Sequence, residues 1–317
     1  MRESTPDSDD AREVLILVNP TAGGSSSNIE VGQLVDLLEQ SGYRPSVLTD
    51  LDDACGQANQ KHKEGTLRAL VGVGGDGTVA TLVNRTDLGV PITILPTGNE
   101  NLLARHLGLR RSAEALAETI AGGRLIRLDA GSADGRIFLL MIGCGFDAEV
   151  VRRFEEKRTG HVGYHSYVGP LLGSLSHYEY SKMLIYCGEP DGPESATETP
   201  DHEVHWLFAF NLPCYGGGLR FTPGADATDG LLDVCTFRRG STWHGLRYFS
   251  ALALRRHGRL ADCELFRTGQ MRIEAEGRVP YQLDGDFAGY LPVEVEVVPE
   301  RLTFVVPEER EPQMDTD

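Results

Sequence analysis

The chain has 317 residues, 40% of them hydrophobic, with 47 acidic against 30 basic side chains and a net charge of −17. That length accommodates two ordinary domains with a core each. The acidic balance excludes general nucleic-acid binding, which needs Lys and Arg clustered against phosphate, and no run of about 18 apolar residues exists to span a bilayer.

The N-terminal stretch MRESTPDSDDARE is polar and acidic where a signal peptide would be basic and then apolar, so residues 1–12 read as a disordered tail and the address as cytoplasmic. Val14 to Val18 is a continuous apolar run suited to a buried strand. After a glycine-rich gap, Val31, Leu34, Val35 and Leu38 recur at helical spacing. A strand near Pro45 to Leu48, a helix near Asp53 to Lys63 and strands at Ala69 to Val73 and Ile92 to Leu95 follow, then helices at Leu102 to Leu107 and Ala113 to Ile120. This alternation predicts an α/β domain over 13–128, a mainly parallel sheet with helices on both faces.

Beyond Gly122-Gly123 the pattern changes to β runs joined by turns: Ile137 to Ile142, Glu203 to Phe210, Leu232 to Phe237, Met271 to Glu276 and the strictly alternating Val293 to Val298. Helices are expected at Phe146 to Lys157, Tyr164 to Leu175 and Trp243 to Leu254, and a surface loop at Gly188 to His202. The second domain, 129–307, is therefore expected to be a mainly antiparallel β-sandwich whose last strand can return to the first domain, with 308–317 an acidic tail. The six cysteines show no C-x-x-C pair and are expected to be reduced.

In an open α/β sheet, ligands bind at the carboxyl ends of the strands. Three loops there suit a nucleotide: Asn19-Pro20-Thr21-Ala22-Gly23-Gly24, Gly74-Gly75-Asp76-Gly77-Thr78 and Pro96-Thr97-Gly98-Asn99-Glu100-Asn101. Glycines let backbone approach phosphate oxygens, and Asp76 beside polyphosphate implies a divalent cation between them; a plain turn with Asp76 as helix N-cap is the alternative. No Walker-type G-x-x-x-x-G-K-[ST] and no G-x-G-x-x-G dinucleotide fingerprint is present.

With GCGFDAEVV, NLPCYGGGLRFTPGADATDGLLDV and YQLDGD, these segments resemble in order the diacylglycerol kinase catalytic-domain family of bacterial lipid kinases, from Val14 to about Pro307. The resemblance implies a nucleotide domain like that of NAD kinase and phosphofructokinase, a C-terminal β-sandwich, ATP and Mg²⁺ as cofactors, and a diacylglycerol-like or sphingoid lipid hydroxyl as acceptor at a membrane surface. It implies that Asn19, Pro20, Gly23, Gly24, Gly74, Gly75, Asp76, Gly77, Thr78, Gly98, Asn99 and Asn101 hold ATP, with Thr49 a further contact. Asp226, Asp229 and Leu231 match a structural Mg²⁺ motif in which the outer two offer carbonyl oxygens; a β-turn at Asp229-Gly230 is the alternative. Asp286 matches the general base, and Asp76, which could bind Mg²⁺ or steer a substrate hydroxyl, and Asp284 are further catalytic candidates. A soluble acceptor such as NAD, and a catalytically weak lipid- or nucleotide-binding relative, are the competing readings.

Four positions depart from the family pattern. Asp286 stands where Glu is usual, Ala80-Thr81 where Asn-Glu is often found, and Asn99 where Thr is usual. One segment runs against the overall charge. Arg238 to Arg259 holds six arginines and no acid, interleaved with Trp243, Leu246, Tyr248, Phe249, Leu252 and Leu254. It reads either as a peripheral membrane contact or as an ordinary helix packed on the sandwich. The oligomeric state is open, a dimer included.

Overall fold

The computed structural model describes residues 3–4, 11–18, 25–98, 100–157, 178–188 and 199–308. Two compact units emerge, Met1–Leu128 with Glu300–Asp317, and Asp129–Pro299.

Within the stretch expected to be a disordered tail, Glu3–Ser4 form a short strand, β1, paired antiparallel with Ile126 and Leu125. The rest of the first unit runs β2 (Glu13–Val18), α1 (Ser25–Gln40), β3 (Arg44–Leu48), α2 (Leu51–Lys63), β4 (Leu67–Gly74), α3 (Asp76–Arg85), β5 (Ile92–Pro96), α4 (Leu102–His106) and α5 (Ala113–Gly122). Its sheet is parallel in the order β5-β4-β2-β3, as the apolar runs predicted. Every residue of β4 and β5 is buried, as in a strand covered on both faces, whereas β3 is the half-exposed edge. Helix α2 starts at Leu51, ahead of its expected start at Asp53, because the Asp50 carboxylate accepts the Asp53 amide at 2.8 Å and caps it.

The second unit is an antiparallel sandwich, also as expected. After β6 (Arg124–Ala133) come β7 (Arg136–Phe138), β8 (Met141–Cys144), α6 (Phe146–Lys157), β9 (Met183–Gly188), β10 (His202–Val204), β11 (Trp206–Phe210) and β12 (Leu232–Phe237). The helix Thr242–Ala253 precedes β13 (Cys263–Thr268), β14 (Gln270–Ala275), β15 (Pro280–Leu283), β16 (Asp286–Tyr290) and β17 (Val293–Val306). One face is β10-β9-β14-β17; the other is the six-stranded β13-β12-β11-β8-β15-β16. Between them lie Phe138, Ile142, Ile185, Leu207, Val234, Ile273 and Val293, all buried.

Two expected single strands are split. Ile137 to Ile142 divides into β7 and β8 because Leu139 and Leu140 turn their amides to a carboxylate instead of a strand neighbour. Glu203 to Phe210 divides at His205, whose Nδ1 bonds the Tyr180 carbonyl at 2.8 Å; β10 then pairs with β9, and β11 with β8 and β12. The helix expected at Tyr164 to Leu175, and residues 189–198 of the expected loop, lie outside the described residues. None of the six cysteines forms a disulfide.

Candidate active site

Because β2, β3, β4 and β5 are parallel, their carboxyl ends share one edge of the sheet. Thr49 follows β3 there, exposed; Gly74 closes β4, and Gly98 lies just past β5. Asn19, Pro20, Gly23, Gly24 and Asn99 lie outside the described residues. The β4 and β5 loops are pressed together: the Thr97 amide donates to the Gly74 carbonyl at 2.9 Å, and a Cβ on Gly98 would stand 2.9 Å from the Cα of Gly75. A Cβ on Gly74 would meet Thr78 Oγ1 at 2.1 Å, so this glycine is required by the hydroxyl behind it.

Asp76 is the first residue of α3, yet its side chain does not cap that helix, whose N-cap is Gly75. Its two oxygens accept the Leu102 amide at 2.8 Å and the Leu103 amide at 3.0 Å, capping α4 from across the edge. Burial pushes the Asp76 carboxyl above its ordinary range, and the two amide bonds oppose that rise. Asn101, at φ +48°, donates from Nδ2 to the Gly98 carbonyl at 2.7 Å. Its Oδ1 is buried with no hydrogen-bond partner among the described residues, an acceptor aimed at the loop junction and fit to receive a ligand donor. Where the family often has an acid, the Thr81 hydroxyl turns back to the Gly77 carbonyl at 2.9 Å.

In the second unit, β15 and β16 meet in a two-residue turn, Asp284-Gly285, with φ +54° and +91°. Both residues left-handed is the type I′ geometry that an Asp-Gly pair favours. The Asp284 carboxylate accepts three amides, Leu139 at 2.7 Å, Leu140 at 2.7 Å and Met141 at 3.0 Å, so it anchors the turn to the entry of β8. Asp286, two residues on, is exposed. Under the turn, Gln282 accepts the Gly285 amide at 2.7 Å and donates from Nε2 to Asp147 Oδ2 at 2.9 Å, while the Tyr215 hydroxyl donates to Asp147 Oδ1 at 2.5 Å. The sequence reading did not assign Asp147, Tyr215 or Gln282 a part in the site. Asp147 lies in the GCGFDAEVV segment and Gln282 in YQLDGD, but nothing local ties residues 135 positions apart.

Asp226, Asp229 and Leu231 form a self-satisfied loop. Asp226 Oδ1 accepts the Thr228 hydroxyl at 2.8 Å, Asp229 Oδ1 accepts the Leu231 amide at 3.0 Å, and Gly230 donates to Asp129 at 2.9 Å. The Arg267 guanidinium then bonds Asp229 Oδ2 at 3.3 Å and Asp233 at 3.2 Å. One oxygen of Asp229, a residue the resemblance implies for a metal, is thus bonded by a guanidinium. Among the described residues, no group of three His, Cys, Asp or Glu side chains is disposed to hold a metal ion.

The first unit is an α/β domain with its glycine loops at one sheet edge, and the second is an antiparallel sandwich. Two family models match in tandem, the diacylglycerol kinase catalytic domain over residues 13–133 and the YegS C-terminal NAD kinase beta sandwich-like domain over 117–306, the latter more than half of the chain. The chain belongs to the family of the second model, and its residues 13–133 match the diacylglycerol kinase catalytic domain. It is 25% identical over 315 residues to a diacylglycerol kinase of Bacillus subtilis (strain 168), covering 95% of this chain and 98% of that one. It is 29% identical over 246 residues to a diacylglycerol kinase of Mycobacterium tuberculosis (strain ATCC 25618 / H37Rv), covering 75% and 77%. A crystal structure of a diacylglycerol kinase from Bacillus anthracis str. Sterne shares the fold, with a TM-score of 0.62 at 18% identity over 93% of this chain and 97% of that one.

Proposed function

We infer that this chain transfers the γ-phosphate of ATP to the hydroxyl of a diacylglycerol-like or sphingoid lipid. The observation that carries the phosphotransfer half is the junction at the first unit's sheet edge: Gly75 against Gly98, the orphaned Asn101 acceptor, and Asp76 half-buried beside them. Phosphoryl transfer asks the protein for positioning, charge neutralisation and a proton acceptor. The glycine loops hold the nucleotide. Asp76 keeps lone pairs beyond its two amide bonds, enough for an oxygen ligand to the Mg²⁺ that accompanies ATP, and that ion would neutralise developing phosphate charge. Asp286, on a hairpin fixed by Asp284, takes the proton of the attacking hydroxyl. The lipid half of the reading is supported by the names of the relatives at 25% and 29% identity.

The test is transfer of labelled γ-phosphate from MgATP onto mixed micelles carrying diacylglycerol, monoacylglycerol, ceramide, sphingosine or phosphatidylglycerol, with NAD in solution as a further acceptor. Label in the organic phase, lost in Asp76→Asn and Asp286→Asn, is the expected result. Label in NAD alone overturns the lipid acceptor, and ATP binding without turnover on any acceptor overturns the kinase.

A further inference from the structure

The helix Thr242–Ala253 has two apolar faces. The inner face packs Gly245, Tyr248 and Leu252 onto the sandwich: Tyr248 stacks on Phe237 with ring centroids 4.2 Å apart, its hydroxyl donates to Asp262 at 2.7 Å, and Gly245 lies against the Trp206 ring. That packing accounts for the helix without its outer face. There, Trp243 is 81% exposed, Leu246 45% and Leu254, the residue after the helix, 66%. At about 100° per residue these three lie on one side, opposite the buried set.

Arginines flank this apolar side at both ends. Arg238 and Arg247 are held by Glu264 and Asp262, at 3.0 and 3.1 Å, so the two neighbouring acids are already matched. Arg255, Arg256 and Arg259 are exposed, and none of them enters an ion pair among the described residues. In a chain of net charge −17 they make a local patch of opposite sign around an exposed indole and two leucines. No helix of the described residues is long and apolar enough to cross a membrane, which leaves insertion in the plane of the interface as the geometry that fits.

We propose that this face docks the protein on an anionic lipid bilayer, with Trp243, Leu246 and Leu254 entering the interface and Arg255, Arg256 and Arg259 meeting lipid phosphates. Charge selects the occupant. The chain as a whole is net acidic and is repelled by such a bilayer, so this basic face is the one that makes the contact and orients the protein on it. Arginines near an anionic surface each strengthen binding by about fivefold, and the contribution fades with salt.

The test uses the full chain with vesicles of phosphatidylglycerol and phosphatidylcholine, against phosphatidylcholine alone, by co-sedimentation and tryptophan emission. No ATP or diacylglycerol is present, so failure here leaves the kinase reading standing and failure of that reading leaves this one standing. Trp206 is buried, so a blue shift and quenching by nitroxide-labelled lipid report Trp243. Binding to the anionic vesicles is expected, about 100-fold weaker in R255Q/R256Q/R259Q and lost in W243S/L246S/L254S, with both variants melting as the wild type does. The proposal is overturned if the wild type stays in the supernatant, or if it sediments with Trp243 emission unchanged. It is equally overturned if sedimentation velocity shows the serine variant merely converting a dimer to monomer, for a second copy would then cover this face.

Discussion

Asp147 accepts a hydrogen bond from the side-chain nitrogen of Gln282 at 2.9 Å, and that contact decides which way the Gln282 amide faces. With Nε2 committed to Asp147, Oε1 is left toward the Asp284-Gly285 turn, where it accepts the Gly285 amide at 2.7 Å. Gly143 makes room for the pair, since a Cβ there would stand 2.6 Å from Asp147 Oδ2 and 2.8 Å from Gln282 Nε2. The turn that carries Asp286 is thus oriented from beneath by a buried carboxylate, itself held by Tyr215.

Gln282→Leu should unfold about 2–4 kcal/mol more easily in urea, because it strands a buried carboxylate oxygen and a turn amide together. Its turnover should fall tenfold or more while the KM for ATP moves by less than about twofold, the glycine loops being on the other unit. Tyr215→Phe removes one donor to the same carboxylate and should cost about 1–2 kcal/mol. Urea titrations with steady-state kinetics check both, and equal losses in kcat and affinity would remove the turn from the mechanism.

Asp284 and Asp286 are two residues apart and should behave oppositely. Asp284→Ala takes the acceptor from three backbone amides and should lower stability by about 3 kcal/mol or more. Asp286→Asn changes an exposed side chain and should leave the melting temperature within about 1 °C while abolishing transfer. Asp286→Glu restores the acid that the family usually carries and should keep measurable transfer. Thermal melts beside the micelle assay separate the two roles.

Much of the fold was readable because its signals are local. The apolar runs at Val14 to Val18, Ala69 to Val73 and Ile92 to Leu95 mark strands buried on both faces whatever surrounds them. β6 went unread because Arg124, Arg127 and Asp129 interrupt its apolar pattern. The break between β7 and β8 comes from Asp284, 145 residues from Leu139, and no local rule could locate it. The site was legible to the same extent. Glycine loops and the Asp-Gly turn announce themselves by residue type, whereas Asp147 beneath Gln282, and Asp76 capping a helix 26 residues away, are contacts that only the folded chain makes.

The two glycines at the loop junction should differ in tolerance. A Cβ on Gly98 would stand 2.7 Å from Asn101 Oδ1 and 2.9 Å from the Gly75 backbone, so Gly98→Ala must push the loops apart. A Cβ on Gly75 meets nothing nearer than 3.4 Å. Gly98→Ala should weaken ATP binding by tenfold or more, and Gly75→Ala by no more than about threefold, a spread typical of displacing positioning groups by a few tenths of an ångström. Equilibrium titration with a fluorescent ATP analogue decides it, and equal affinities would mean the junction does not form the nucleotide site.

Asp76 couples stability and activity with opposite signs. Burial raises its folded pKa above the unfolded value, so the folded chain binds that proton more tightly than the unfolded chain does. The group therefore favours folding most below the unfolded pKa, near 4, and that contribution is lost as pH rises through the folded pKa. Transfer needs the ionised carboxylate, so the acid limb of the rate profile should lie above the ordinary carboxylate range. Asp76→Asn removes the ionisation. Compared with the wild type, the variant should be relatively more stable at pH 7.5 than at pH 4.5, the difference coming from the lost desolvation penalty. It should also show no transfer at either pH. Urea melts at the two pH values check the stability term, and a difference that shrinks or reverses with rising pH would place the Asp76 carboxylate in a better solvated setting than its contacts with Leu102 and Leu103 imply.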